Sequence, residues 1–396
     1  MNKLTICIAG KNDIAVNVLE YLIKNNKNRY NLCATYNKTE KGVDSFQRSF
    51  KKYVEKNGIR EYKLDELYEI ENLMFLSVEY DRIVKPCLFK DARLYNIHFS
   101  LLPAYKGVYT SAIPILNGES ISVVTLHKID NGIDTGEIIA QKIFDINRDD
   151  TCRDLYFKYT KNGTELVLDN IEKIIMGTEK SIPQSFEGST YYGKSYINYK
   201  ELVINLNTTA EMIRRQINAY SFQEHQMPKV YGYEIIDTNI TNIRSRVPAG
   251  SVIMETDTSI MIASIDYNVI LYKNQSKKLF EACKEGNFSA VKEICSIKRH
   301  ANMREIHGWT PLMVATYNGH IEIVKWLILN GADIFAVNYN GTNLLMYAKE
   351  AWLRTSARDL FDLYVSLGLD IERCDYYGKN VYDYLDNSDR EKLLKV

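Results

Sequence analysis

The sequence predicts an α/β fold with a doubly wound, mostly parallel sheet, followed by a small β-hairpin subdomain and a C-terminal domain of helical repeats. Three observations support this. Residues 4–9 form a short apolar run without polar alternation, as in a parallel strand buried on both faces. Further apolar runs alternate with segments of helical periodicity. Beyond residue 273, apolar residues recur at a fixed spacing of 33 residues.

Composition indicates a globular protein and argues against several classes of function. The 396 residues are 45% hydrophobic and 25% charged, which allows two or three domains. Formal net charge is zero, so no long-range field favours nucleic acid. The seven cysteines include no CxxC pair, so we expect neither a disulfide framework nor a metal site. The absence of a signal-peptide pattern and of a long apolar run predicts a cytoplasmic protein without membrane contact.

The predicted elements divide the chain into three domains: residues 1–200, an α/β domain; 201–273, a small β-rich subdomain; and 274–396, the repeats. The expected strands are at residues 4–9, 30–36, 73–78, 122–129, 251–254, 260–263 and 269–272. The expected helical segments are residues 42–63, a long helix that opens near Thr151 and runs to about Met176, and residues 209–219.

Gly10, Lys11 and Asn12 follow the first strand and precede a segment with apolar residues at helical spacing. A strand, a glycine turn and a helix N-terminus form a natural anion site, and Lys11 adds a positive charge. Asn12 or Asp13 can cap the helix. No GxGxxG pattern is present, so a dinucleotide cofactor is not indicated. The alternative is that Gly10 only forms a tight turn.

Asn96 and His98 lie at spacing i, i+2 in an extended stretch that ends at Pro103, so both side chains point to one face. Downstream, the strand at residues 122–129 runs into a turn that carries Asp134. A carboxylate can orient an imidazole and stabilise its charged form, and an amide NH₂ can stabilise an oxyanion. The combination suits acyl-type transfer to a nucleophile. The alternative is that His98 is an ordinary hydrogen-bonded strand residue.

These motifs, Asn-x-His followed by Ser-Leu-Leu-Pro and then an Asp 36 residues after His98, resemble those of the folate-dependent formyltransferases. The resemblance covers residues 1 to about 270. It implies a formyltransferase-like fold, N10-formyltetrahydrofolate as the formyl donor, and a catalytic triad of Asn96, His98 and Asp134. The turn at residues 10–12 looks like that of nucleotide-sugar formyltransferases, where it lies near the sugar and pyrophosphate.

The resemblance also implies where the two substrates bind. The loop at residues 75–84 looks like one that cups the pterin ring; an ordinary surface loop is the alternative. The residues expected to bind the donor are Leu76, Ser77, Val78, Tyr80, Arg82, Ile83, Asp130 and Ile133. The residues expected to bind the acceptor are Gly10, Lys11, Asn12, Pro103, Tyr105, Lys106, Tyr220 and Phe222. The last two aromatic rings could stack on a nucleobase or belong to the core.

The resemblance points to a dTDP-linked 3-amino- or 4-amino-dideoxyhexose, formylated for O-antigen or another cell-surface glycan. The sequence does not choose between the two amines, and the acceptor predicted here is a dTDP-linked 3-amino-3,6-dideoxyhexose. The alternatives are a dTDP-4-amino-4,6-dideoxyhexose, methionyl-tRNA, glycinamide ribonucleotide, or a non-catalytic interaction protein. Residues 251–272 are too few for the barrel of tRNA formyltransferases, and this favours a small acceptor. A homodimer formed through residues 201–273 is also expected from the resemblance.

The C-terminal segment repeats itself. Leu279, Ala282, Gly286 and Val291 recur 33 residues later as Leu312, Ala315, Gly319 and Val324. This period, with Thr310-Pro311-Leu312, resembles the ankyrin repeat, a turn and two helices that bury their faces against neighbouring repeats. Three repeats and a partial unit ending near Val396 are expected. Gly331-Ala332-Asp333 recurs as Gly368-Leu369-Asp370 after 37 residues, so one repeat contains about four extra residues.

Trp309 occupies the variable position of the Gly-x-Thr-Pro-Leu turn. An indole at such a turn is a stacking platform for a base or sugar. The hypothesis is a second nucleotide-sugar site, with Trp309 on the base and Arg304 or His307 on phosphate. The alternative is that Trp309 packs on the preceding repeat or the catalytic domain and that the repeats bind a protein partner.

Overall fold

The computed structural model describes residues 3–26 and 28–394, so the predicted chain limits at Met1 and Val396 lie outside the described residues. The chain divides into two units. The first contains the chain up to Asn205 together with Glu211–Phe222, and the second contains Leu206–Ala210 and the chain from Gln223 onward. The predicted division into residues 1–200, 201–273 and 274–396 stays a prediction. The β-rich segment and the repeats belong to one unit, in which Ile236, Ile297 and Met303 pack together.

A seven-stranded sheet forms the centre of the first unit. The strands of this unit are β1 (Thr5–Gly10), β2 (Asn31–Tyr36), β3 (Arg60–Glu61), β4 (Leu73–Val78), β5 (Ala92–His98), β6 (Lys106–Gly107), β7 (Ile121–Lys128), β8 (Ile138–Asp145) and β9 (Tyr191–Tyr192). The helices are α1 (Asn12–Asn25), α2 (Phe50–Lys56), α3 (Leu64–Leu67), α4 (Ile113–Asn117), α5 (Cys152–Met176) and α6 (Ala210–Tyr220). The first residue of α6, Ala210, belongs to the second unit.

The strand order is β3-β2-β1-β4-β5-β7-β8. The first five pair in parallel, and β7 and β8 are antiparallel to their neighbours. The predicted doubly wound, mostly parallel sheet is therefore confirmed. In β1, Ile6 and Ile8 face a large core that includes α1 and α5, whereas Cys7 and Ala9 face a smaller core on the opposite side. Burial on both faces explains the absence of polar alternation in this strand.

The expectation that residues 42–63 are mostly helical is wrong. Only Phe50–Lys56 is α-helical there, and Arg60–Glu61 joins the sheet as β3. Ser49 caps α2 by accepting a hydrogen bond from the Lys52 amide at 3.2 Å. In the irregular segment before this cap, Gln47 Oε1 accepts from the Asp13 amide at 2.9 Å and Arg48 Nε donates to Asp13 Oδ1 at 2.7 Å.

The expected capping of α1 by Asn12 or Asp13 is also wrong, because the helix N-terminus has no such side-chain cap. The amide of Asn12 instead donates to Glu40 Oε1 at 3.3 Å, and that of Asp13 donates to Gln47 Oε1 at 2.9 Å. Glu40 therefore already places a carboxylate at the positive end of the α1 dipole.

The second unit contains a five-stranded antiparallel sheet of order β10-β11-β14-β13-β12. Its strands are β10 (Lys229–Val230), β11 (Tyr233–Arg244), β12 (Val252–Glu255), β13 (Ser259–Ile262) and β14 (Tyr267–Lys273). The last three agree with the predicted strands. The sequence did not indicate β11, because Thr238, Asn239 and Thr241 interrupt its apolar residues.

Three helical pairs follow the sheet, as the predicted ankyrin repeats require. They are α7 (Ser276–Glu285) with α8 (Phe288–Ile294), α9 (Pro311–Asn318) with α10 (Ile321–Leu329), and α11 (Leu344–Thr355) with α12 (Asp359–Ser366); α13 (Asn387–Leu394) lies beyond them. Helix α11 has 12 residues where α9 has 8, which accounts for the four extra residues.

Within residues 3–26 and 28–394, no helix combines the length and apolar character that a membrane span needs. Over the same ranges, no group of three or more His, Cys, Asp or Glu side chains is arranged to hold a metal ion.

Gly10 ends β1 in close contact with β4, and a Cβ atom there would lie 1.9 Å from the carbonyl oxygen of Val78. Because a backbone oxygen within a sheet cannot move aside, we expect Gly10→Ala to lower the free energy of unfolding by ~1–3 kcal/mol or more. Urea unfolding followed by circular dichroism would measure this. The control is Gly193→Ala, whose new Cβ meets no atom closer than 3.6 Å. Equal stability of the two variants would contradict the prediction.

Candidate active site

A cavity of about 540 Å³ lies at the ends of β4 and β5. Its volume is typical of sites for small organic ligands. Strands β4 and β5 are parallel, and their carboxyl ends form the edge of the sheet at which α/β proteins bind ligands. The position of the cavity therefore agrees with the expected site.

Asn96, His98 and Asp134, the predicted triad, meet in the wall of this cavity. Asn96 Nδ2 lies 3.5 Å from Asp134 Oδ1, and His98 Nδ1 lies 3.5 Å from Asp134 Oδ2. The Gly107 amide donates to the same Oδ2 at 2.9 Å. Asp134 has a left-handed backbone with φ 55°, and Gln184 holds its turn by donating to the Asp134 carbonyl at 2.9 Å. Residues distant in sequence therefore position the carboxylate between the amide and the imidazole.

Both ring nitrogens of His98 face oxygen acceptors. Nε2 lies 2.9 Å from the Tyr105 carbonyl oxygen, and Nδ1 faces the Asp134 carboxylate. A carbonyl only accepts hydrogen bonds, so Nε2 is placed to carry an N–H that points into the cavity wall. An N–H donor in the cavity wall can stabilise negative charge that develops during a reaction.

His127, for which the sequence indicated no role, orients Asn96 from the neighbouring strand. The register of β5 and β7 places these two residues directly opposite each other. His127 Nδ1 donates to the Lys128 carbonyl at 2.7 Å, and burial followed by the charge of His98 lowers the pKa of His127 to about 4. The neutral ring then accepts from Asn96 Nδ2 at 3.1 Å through Nε2. The second N–H of the amide keeps only its long contact with Asp134.

Most of the predicted donor residues come together. The six that line the cavity are Ser77, Tyr80, Arg82, Ile83, Asp130 and Ile133. Leu76 and Val78 do not, because side chains alternate along β4 and these two are fully buried in the core. Asp130 also shapes its own turn, since its Oδ1 accepts from the Gly132 amide at 3.0 Å.

The predicted acceptor residues are not in the cavity wall. They are Gly10, Lys11, Asn12, Pro103, Tyr105, Lys106, Tyr220 and Phe222. Asn12 and Tyr105 contact wall residues, since Asn12 Nδ2 donates to Glu79 at 3.4 Å and the Tyr105 carbonyl faces His98. Phe222 is 5% exposed and packs against Phe46 and Tyr156, so its ring belongs to the core rather than to a stacking surface.

The cavity also contains residues that the sequence analysis did not assign, including Glu79, Tyr191, Gly193 and Lys194. The short strand β9 brings the last three into the wall by pairing with β6. Lys194 is exposed there and supplies a positive charge for an anionic ligand. No sequence spacing links this segment to the triad, because the pairing joins strands about 85 residues apart along the chain.

In the repeats, Trp309 is half-buried and packs against Tyr347 and Tyr317, with ring centroids 4.4 and 5.5 Å away. The Arg304 guanidinium donates to the carbonyls of Gly308 and Val337 at 2.8 and 2.6 Å. His307 is exposed. The indole therefore packs within its own repeat and on the following one, and the second-site hypothesis stays a prediction.

Comparison with known proteins identifies both parts of the chain. Residues 4–171 match the formyl transferase family, and residues 273–365 match three copies of the ankyrin repeat. A methionyl-tRNA formyltransferase from Fervidobacterium nodosum is 27% identical over 309 residues, which cover 72% of this chain and 96% of that protein.

Two solved structures are more similar to this chain in sequence. WlaRD, a sugar 3N-formyl transferase crystallised with dTDP and 5-N-formyl-THF, is 42% identical with a TM-score of 0.64, covering 69% of this chain and 99% of that one. An N-formyltransferase from Helicobacter canadensis, in complex with folinic acid and dTDP-3-aminofucose, is 43% identical with a TM-score of 0.62, covering 68% of this chain and 100% of that one.

The orientation of Asn96 depends on a neutral His127 with its proton on Nδ1. We expect nitrogen-15 chemical shifts to show this tautomer at pH 7 and a titration near pH 4, because burial disfavours the charged ring. The ring signals of His127 are identified as those that disappear from the spectrum of His127→Gln. A proton on Nε2, or a titration near the ordinary value of about 6.5, would contradict the arrangement.

The same pKa predicts how stability depends on pH. The unfolded chain protonates this histidine at about 6.5 and the folded protein at about 4, so the unfolded state binds more protons between these values. His127 therefore makes the folded protein less stable as pH falls through this range. Urea unfolding at several pH values should show a smaller acid loss in His127→Gln than in the wild type.

Proposed function

The chain belongs to the formyltransferase family, and we propose that it transfers the formyl group of N10-formyltetrahydrofolate to the amine of a dTDP-linked 3-amino-3,6-dideoxyhexose. The observation that carries this proposal is the convergence of Asn96, His98 and Asp134 in the wall of one cavity. An amide donor, an imidazole N–H donor and a carboxylate acceptor are the groups that formyl transfer to an amine requires.

The cavity fits the donor substrate through its remaining walls. Tyr80, Ile83 and Ile133 provide apolar surface for a flat ring system, and Arg82 provides a positive charge for the carboxylates of a folate. Arg82 is exposed at the wall. The two relatives above 40% identity were both crystallised with a formylated folate, which supports the same donor here.

In the proposed reaction, the uncharged amine attacks the formyl carbon, a new C–N bond forms to the sugar, and the bond from carbon to N10 breaks. Asn96 donates its second N–H to the formyl oxygen as negative charge develops there, and His98 donates the Nε2–H that the Tyr105 carbonyl otherwise accepts. Asp134 stabilises the charge of His98 and accepts the proton that the amine loses. That proton returns to N10 of the departing tetrahydrofolate.

Three features support a 3-amino sugar, and the second and third of them argue only against tRNA. The relatives at 42% and 43% identity are described as a sugar 3N-formyl transferase and as a complex with dTDP-3-aminofucose. The methionyl-tRNA formyltransferase is more distant, at 27% identity. The zero net charge of the chain also gives no general attraction for tRNA.

The acceptor is tested by assaying the full chain with N10-formyltetrahydrofolate and purified amines, with formylation detected by mass spectrometry. We expect kcat/KM for a dTDP-3-amino-3,6-dideoxyhexose to exceed that for the 4-amino isomer by at least roughly tenfold, because the nucleophile must reach the triad in one orientation. Methionyl-tRNA should not be formylated. Preference for the 4-amino isomer or for the tRNA would overturn the assignment.

The controls for this assay are variants of the triad. His98→Ala and Asp134→Ala should each lower turnover by roughly two to four orders of magnitude, because they remove an oxyanion donor and a proton acceptor. Affinity for the nucleotide-sugar should change little. Near-wild-type turnover in either variant would remove that residue from the catalytic role.

The expected homodimer and a role of the product in O-antigen or other cell-surface glycans remain proposals. Strand β12 supports the former, because it lies at an edge of its sheet and Val252, Ile253 and Met254 are exposed. Exposed apolar residues on an edge strand favour pairing with another chain.

The predicted second nucleotide-sugar site on the repeats is tested by binding stoichiometry. If Trp309 stacks on the base, calorimetry should give two sites per wild-type chain and one in Trp309→Ala. Trp326→Ala is the control, because Trp326 is also half-buried in the repeats and packs on Phe288. One site in the wild type would exclude the hypothesis and favour a protein partner for the repeats.

A further inference from the structure

Glu79 lies in the wall of the catalytic cavity and has no part in the reaction described above. It directly follows β4, and its backbone is left-handed with φ 59°. Asn37 holds this turn with both ends of its amide: Nδ2 donates to the Glu79 carbonyl at 2.9 Å, and Oδ1 accepts from the Asp81 amide at 3.2 Å. Asn37 is 3% exposed, so the turn and the direction of the Glu79 side chain are fixed by a buried group.

The carboxylate of Glu79 accepts hydrogen bonds from two side chains, which do not use all of its acceptor capacity. The Tyr156 hydroxyl lies 3.0 Å from both of its oxygens, and Asn12 Nδ2 lies 3.4 Å from one of them. A carboxylate can accept about four hydrogen bonds, so these two donors leave capacity for a ligand in the cavity that Glu79 lines. Burial raises the pKa of Glu79, against the opposing effect of the nearby positive charge of Lys11. The protein thus keeps a carboxylate where burial disfavours its charge.

A purely structural role does not account for Glu79. A left-handed backbone costs an ordinary residue about 1–2 kcal/mol, and glycine would adopt the same turn without that cost. Glycine would also avoid burying a carboxylate. A strained residue with a partly satisfied charged group in the wall of a cavity indicates contact with a ligand.

The charge of Glu79 restricts which part of a ligand it contacts. It would repel a diphosphate. It would also raise the pKa of an amine held against it, which would keep the nucleophile in its unreactive ammonium form. The groups that remain are uncharged donors, and sugar hydroxyls are such groups. The carboxylate also lies beside Asn12, in the turn expected to contact the sugar.

We propose that Glu79 determines specificity for the acceptor sugar by accepting a hydrogen bond from a hydroxyl of the hexose. This inference rests on the proposed function, because it requires a nucleotide-linked hexose in the cavity. Tyr156 and Asn12 act as positioning residues that hold the carboxylate in place. Glu79 thereby distinguishes hexoses by their hydroxyl pattern, separately from the triad that acts on the amine.

The test compares Glu79→Gly with Ser356→Gly in the full chain. Ser356 has the same left-handed backbone, φ 59°, and is exposed at the end of α11 in the repeats, so it controls for the relief of backbone strain. Both variants should be at least as stable as the wild type in thermal unfolding. Glu79→Gly should raise KM for the dTDP-3-amino-3,6-dideoxyhexose by roughly 10- to 100-fold, because a hydrogen bond to a charged acceptor is lost. Ser356→Gly should leave that KM unchanged.

Two further measurements separate the possible contacts. Inhibition by dTDP alone should be the same in the wild type and Glu79→Gly, since dTDP lacks the hexose, and KM for the folate donor should also be unchanged. Glu79→Gln, which keeps the size and the strain, should give a smaller rise in the sugar KM. A raised KM for the folate, weaker inhibition by dTDP, or an unchanged KM for the sugar would overturn the inference.

A marked loss of stability in Glu79→Gly with unchanged kinetics in Glu79→Gln would assign Glu79 a structural role and also overturn it. The assay of the wild type distinguishes failure of the proposed function from failure of this inference. A folded wild type that formylates no dTDP-amino sugar would refute that function, and the inference with it. A wild type that formylates the sugar, with an unchanged sugar KM in both Glu79 variants, would refute the inference alone.

Discussion

The catalytic arrangement depends on the antiparallel pairing of β5 with β7. Its register sets Asn96 opposite His127 and brings the turn that carries Asp134 beside the end of β5. A slip of one residue would turn the side chains of one strand to the other face of the sheet and separate these groups. Because both strands are fixed by the buried core on either side, the positions of the amide and the imidazole are set before a ligand arrives.

Four residues with a left-handed backbone lie at or next to the same cavity. Asn12, Glu79, Tyr105 and Asp134 all have positive φ values and either line the cavity or contact a residue that does. Such conformations cost most residues about 1–2 kcal/mol each, and the surrounding structure must supply this free energy. The buried amide of Asn37 does so at Glu79. The site is therefore rigid at the points where chemistry and recognition require fixed donors and acceptors.

The second unit is stabilised differently from the first, because its elements pack mainly against their neighbours along the chain. Each helical pair of the repeats buries its apolar face against the next pair, so a short period in the sequence is enough to specify it. Helix α11 contains four extra residues, and the stacking tolerates this insertion. The sheet of this unit was harder to predict, since a strand such as β11 with polar residues is recognised only once its partners are known.

By itself, the sequence determined the buried strands, the long helix α5, the repeats and the order of the triad residues, because apolar periodicity and motif spacing are local properties. The tertiary structure alone decided which distant groups meet. It brought His127 within hydrogen-bond distance of Asn96, let Gln184 donate to the Asp134 carbonyl, and placed Lys194 in the cavity wall. It also buried Phe222 in the core. These outcomes depend on strand register and on packing between segments far apart in the chain, and no local pattern encodes either.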